Sequence, residues 1–126
     1  MGSHSGPQAS GTTKIEYTRR CIEVILDFFF LTASHEISDR IDDENVVRSY
    51  LEATHHVIQN CHENQKEWFV AEPSFVPAIG KYLKGNDAAM RRDCSSIIQL
   101  LSTGSASRSG RIMNEGIGEY LSWVAM

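Results

Sequence analysis

The sequence predicts an all-α chain built as a helical solenoid. Two observations carry that expectation. Val57-Ile58-Gln59 returns as Ile97-Ile98-Gln99, a spacing of forty residues. Val76-Pro77-Ala78-Ile79 is followed at nearly the same spacing by Ile117-Gly118-Glu119-Tyr120. A period of about forty residues is the signature of stacked helical repeats, which bury their apolar faces only against neighbours. Such stacks build extended surfaces for holding other molecules.

The first helix is predicted over about Tyr17 to Ser34. Glu16, Arg20, Glu23 and Asp27 form a polar stripe at helical spacing. Cys21, Ile22, Val24, Ile25, Leu26, Phe28, Phe29, Phe30 and Leu31 occupy the rest of the circumference. A helix apolar over so much of its surface is expected to be covered on several sides. Three consecutive phenylalanines also suit a strand, but the length and the polar stripe favour helix. His35 to Ile41 reads as a connector.

Asp42 or Asp43 caps a second helix that reaches about Cys61. A carboxylate there accepts first-turn N–H groups and lies at the positive end of the helix. Val47, Tyr50, Leu51, Thr54, Val57, Ile58 and Cys61 mark its buried side, and Arg48, Glu52, His55 and Gln59 the opposite stripe. Asn64 to Ala71 forms a short helix carrying Trp68 and Phe69, stopped by Pro73, whose ring lacks an N–H. Phe75 to Lys84 follows, with Pro77 tolerated in its first turn. Gly85 supplies a left-handed C-terminal position, and Asn86 or Asp87 caps the next helix.

That helix runs to about Ser102, with Met90, Cys94, Ile97, Ile98 and Leu101 as its core face. Thr103 to Ser109 is a polar, Gly/Ser-rich loop, and Arg111 to Asn114 a short turn. A last helix begins near Gly116 and presents Ile117, Tyr120, Leu121 and Val124 on one side. The pattern stops inside this helix, so the sequence reads as part of a longer chain or as a domain completed by another subunit. Either way Ile117, Tyr120, Trp123 and Val124 would form an apolar end that drives oligomerisation, since a Leu-sized side chain gains roughly 1.5–3 kcal/mol on burial.

Asn64-Gln65, then Trp68-Phe69-Val70-Ala71-Glu72, then Val76-Pro77-Ala78-Ile79 with Tyr82 and Leu83, resembles the armadillo repeat, a HEAT-like unit. In that pattern a short first helix turns into a second that opens on an aliphatic–Pro pair, and a long third helix follows, here Asp87 to Ser102. Arg111 to Ile117 looks like the same junction opening another repeat. The resemblance implies a right-handed solenoid fragment of about two and a half repeats. It divides into a disordered, tag-like leader (1–13), a partial first repeat (14–61), a second (62–103) and a truncated third (104–126). Ser74 stands where the family usually has Gly, Gln59 and Gln99 where Asn is typical, and His55 and Ser95 where peptide-binding members often carry Trp.

In armadillo proteins the third helices line a concave groove that holds extended peptides by their backbones. The resemblance therefore implies a peptide-binding strip of Arg48, Glu52, His55 and Gln59, continued forty residues on by Arg92, Ser95 and Gln99, with Ala88 opposite Arg48. A carboxamide both donates and accepts, which suits Gln59 and Gln99 to peptide N–H and C=O groups.

Composition narrows the alternatives. The chain has 126 residues, 41% hydrophobic and 22% charged, with a net charge of −4. That is ample for one packed domain and argues against a nucleic-acid surface. The longest apolar run is too short to span a bilayer. Three cysteines in apolar helical stretches read as reduced thiols and point to the cytoplasm or nucleus. His55, His56, Cys61 and His62 cluster at one helix end without the convergent spacing of a metal site. No phosphate loop, dinucleotide fingerprint or nucleophile elbow is present. The expected function is a non-catalytic scaffold or adaptor with a protein or peptide partner and no metal, cofactor, nucleic acid or membrane. An assembly module with apolar ends is the alternative, and a regulatory segment of a larger enzyme a more distant one.

Overall fold

The computed structural model describes residues 6–32 and 44–117, with side chains at 14–32, 44–115 and 117. Among these the chain is all-helical. Six α-helices follow one another: α1 (Gly6–Thr32), α2 (Glu44–Asn60), α3 (Glu63–Ala71), α4 (Phe75–Leu83), α5 (Ala88–Ser102) and α6 (Ala106–Ile112). A π-helical turn, Met113–Ile117, continues α6.

Helix α4 is the hub. It packs against α1, α3, α5 and the π-helical turn, while α2 lies along both α1 and α5. Each turn of α4 contributes to the core, through Phe75, Val76, Ile79, Tyr82 and Leu83. The triple phenylalanine is helical, and its three rings divide by the helical period. Phe29 is fully buried edge-on to Phe75, with centroids 5.4 Å apart. Phe69 of α3 closes on the other side of Phe75 at 5.1 Å. Phe28 stacks on Tyr50 of α2, and Phe30 faces solvent. Two buried threonines are satisfied within their own helices: Thr32 donates to the Phe29 carbonyl and Thr54 to the Tyr50 carbonyl.

Helix ends follow local chemistry. The Asp87 carboxylate accepts the Met90 N–H at 2.9 Å, so Asp87 rather than Asn86 caps α5. At the start of α3, Gln65 accepts the His62 N–H through its side chain, which sets that helix one residue before Asn64. The caps proposed at Asp42 and Asp43 lie outside the described residues.

Several expectations are corrected. Helix α1 begins at Gly6, not near Tyr17, and so takes in residues 6–13 of the segment set apart as a leader. It is not covered on several sides: Tyr17, Val24, Phe30 and Leu31 are exposed. Gly85 is not left-handed. Its N–H closes a tight turn on the Tyr82 carbonyl, and a Cβ there would stand 3.3 Å from that oxygen, so lack of a side chain is what matters. The left-handed position belongs to Gly104, at φ 84° after α5. The loop expected over Thr103–Ser109 contains the first turn of α6. Ser105 caps that helix by accepting the Arg108 N–H, and Arg108 then anchors it to α3. Arg111 to Asn114 are helical rather than an isolated turn.

Ile117 is also corrected. It is 1% exposed and packs inside the chain, with its Cδ1 only 3.1 Å from where a Gly80 Cβ would stand. It is therefore not part of an exposed oligomerising end. Tyr120, Trp123 and Val124 lie outside the described residues.

Candidate functional site

Helices α2 and α5 are amphipathic, and their buried residues follow the helical period: Val47, Leu51, Thr54 and Ile58 on α2, and Met90, Cys94, Ile97, Ile98 and Leu101 on α5. Burying these faces leaves the polar stripes outside. Glu52, Gln59, Arg92, Ser95 and Gln99 are exposed, and Arg48 and His55 are half-buried.

Arg48 and His55 are half-buried because they face α5. Arg48 donates through one guanidinium nitrogen to Asp87 and through the other to Asn45 at 3.0 Å. His55 Nδ1 lies 3.9 Å from Asp93 Oδ1. The earlier residue, Arg48, meets the earlier acid, Asp87, and the later one, His55, meets the later acid, Asp93. The two helices therefore run side by side in the same direction. Gln59 lies one turn past His55, and Gln99 six residues past Asp93, toward the same end of the pair.

Electrostatics are local. The hydrogen bond from Arg48, reinforced by the Met90 N–H, holds the Asp87 carboxyl below the usual range. Arg48 stays charged and committed to that partner, so its remaining donors, not the whole guanidinium, face solvent. At this end a pocket of about 300 Å³ opens between Glu44, Lys81, Asn86 and Asp87. His55 and His56 lie beside each other at 6.0 Å, and Cys61 donates weakly to the Ile58 carbonyl. Burial pushes the Cys61 thiol up. Among the described residues no three His, Cys, Asp or Glu side chains form a group that could hold a metal ion. None of the described helices is long and apolar enough to cross a membrane.

Two features escaped the sequence reading. Arg108 is 3% exposed and donates to Glu67 and Glu63, each at 2.7 Å, and to the carbonyls of Leu101 and Thr103. It ties α6 to α3 and to the end of α5. The only local hint was a Ser three residues before it in capping position. The second feature is an apolar groove of about 400 Å³ between α1 and α2, lined in part by Tyr17, Val24, Tyr50, Ala53 and Val57. Its signal was the unusually broad apolar surface of α1.

No protein-family model matches the chain, and neither a curated protein nor a solved structure matches it.

Proposed function

We propose that this chain is a non-catalytic scaffold that holds a peptide or helix of a partner protein along α2 and α5, in an armadillo-like solenoid arrangement. One observation supports the reading above the others: α2 and α5 lie side by side in the same direction with a band of uncommitted polar side chains outward. Glu52, Gln59, Arg92, Ser95 and Gln99 offer donors and acceptors suited to peptide backbone and polar side chains. The three free cysteines fit a reducing cytoplasm or nucleus.

The test is quantitative affinity capture with the full chain as bait. The paired substitutions Gln59→Ala and Gln99→Ala remove two carboxamides without touching the core. With each peptide hydrogen bond worth about 0.5–1.5 kcal/mol, specific prey should bind about tenfold more weakly. Prey retained equally by the parent and the double variant would remove the basis for this placement.

A second reading, assembly through apolar ends of the repeat stack, is favoured by the exposed side chains of α1. Tyr17, Val24 and Leu31 are 69%, 56% and 40% exposed.

A further inference from the structure

Five apolar residues along one side of α1 form a pattern. Tyr17, Cys21, Val24, Phe28 and Leu31 alternate in steps of four and three, the spacing of a coiled-coil seam. Phe28 is stacked on Tyr50 at the floor, while Tyr17, Val24 and Leu31 stand out over about 21 Å of helix. Beside them runs the groove whose far wall is Tyr50, Ala53 and Val57 of α2. A helix laid along α1 would bury both.

The charges along this seam point to one occupant. Arg20 and Asp27 are exposed on one flank, seven residues apart, on either side of Val24. Among the described residues neither has an ion-pair partner, whereas neighbouring Arg19 lies within 4 Å of both Glu16 and Glu23. A second α1, turned end for end about an axis at Val24, sets Tyr17 against Leu31 and Val24 against Val24, and brings Arg20 within one residue of level with Asp27 in both directions. Antiparallel helices pair these flanking positions with their own kind, which here means plus with minus twice. A two-fold interface requires this self-complementarity.

We propose that the α1 seam and the α1/α2 groove bind a second copy of this chain, forming a two-fold dimer with antiparallel α1 helices centred on Val24. This rests on the assembly reading and places the interface at the N-terminal helix rather than at Ile117.

Sedimentation equilibrium on the full chain tests it. The patch is small, so a Kd on the order of 10 µM is expected. Val24→Asp should abolish association with unchanged helical circular dichroism, because Val24 is already exposed. Arg20→Asp replaces two attractions with two repulsions and should weaken the dimer roughly tenfold. Adding Asp27→Arg to that variant should restore parental affinity. A monomer up to about 500 µM overturns both this proposal and the assembly reading. A dimer indifferent to Val24→Asp, or an Arg20→Asp defect that Asp27→Arg does not rescue, overturns this interface alone.

Discussion

Replacing Arg108 by Ala tests how the last helix is held. The guanidinium makes four hydrogen bonds, but they are not equivalent. Glu63 and Glu67 are largely exposed, at 61% and 44% of their side-chain surface. Their ion pairs with Arg108 are therefore screened by solvent and add little. The Leu101 carbonyl is different, because its 2.8 Å bond from Nε is buried. Losing that donor strands a buried acceptor, which costs about 1–3 kcal/mol. The apolar stem of Arg108 adds a further packing loss of about 1 kcal/mol. The total is about 3 kcal/mol, or a fall of about 10 °C in Tm for a domain of this size. Urea and thermal denaturation at one fixed protein concentration would measure it. Salt separates the causes. If the ion pairs carried the effect, 1 M NaCl would erase most of the difference between parent and variant. A stranded carbonyl is not screened, so the difference should persist. A loss below about 0.5 kcal/mol, the range of ordinary surface changes, would refute the anchoring role.

Acid should weaken the fold in a defined window. Asp87 is held low first by the Arg48 hydrogen bond, and Glu63 first by Lys66 and then Arg108. Depressed carboxyls contribute stability above their ordinary values and lose it as pH falls through the folded ones. Tm should therefore be level from neutrality to about pH 4.5 and fall below it, with Asp87→Asn flattening part of the drop. Burial pushes the Cys94 thiol up to about 12, so it should resist thiol reagents at pH 8 until the chain is unfolded, while half-buried Cys21 reacts. Since the unfolded Cys94 ionises near its ordinary value of 9.0 and the folded one does not, stability should also fall above that pH. Gly104→Ala places a side chain at φ 84° with ordinary contacts around it, so a loss of about 1–2 kcal/mol in urea denaturation would come from backbone strain alone.

The legible parts of the fold were those written in local periodicity. All five core positions expected on α5 are buried, because Met90, Cys94, Ile97, Ile98 and Leu101 are large and its polar residues fall between them. Helix α6 was illegible for the opposite reason. Ser105, Ser107, Ser109 and Gly110 carry no apolar rhythm, and what orders them is a buried arginine whose carboxylate partners lie more than forty residues away. Helix α1 misled by abundance. Its apolar residues outnumber the neighbours available to cover them, and composition alone does not say which are left outside. The polar strip on α2 was visible as a stripe, yet the acids that engage Arg48 and His55 sit on α5. No spacing within α2 could show that two of its members are partly spent on the neighbouring helix.

The forty-residue correspondence in the sequence also bears on the flank beside the α1/α2 groove, which among the described residues is apolar and open. Tyr50 and Val57 on α2 correspond to Met90 and Ile97 on α5, yet the first two are half-buried and the second two fully so. The difference is cover, not chemistry: among the described residues α2 has α1 beside it as well as α5, but the groove between α1 and α2 leaves Tyr50 and Val57 partly open. At the same correspondence Asp87 and Asp93 become Val47 and Ala53, so the acids that receive Arg48 and His55 have no counterpart on the open flank. A cover that copied α2 would bring the Arg48 guanidinium and the His55 ring to a surface with no acid to receive them, and burying an unpaired charge is costly. The open flank therefore selects against a simple repetition of the α2/α5 contact. It favours an occupant whose charges are answered elsewhere, as Arg20 and Asp27 answer each other across a two-fold.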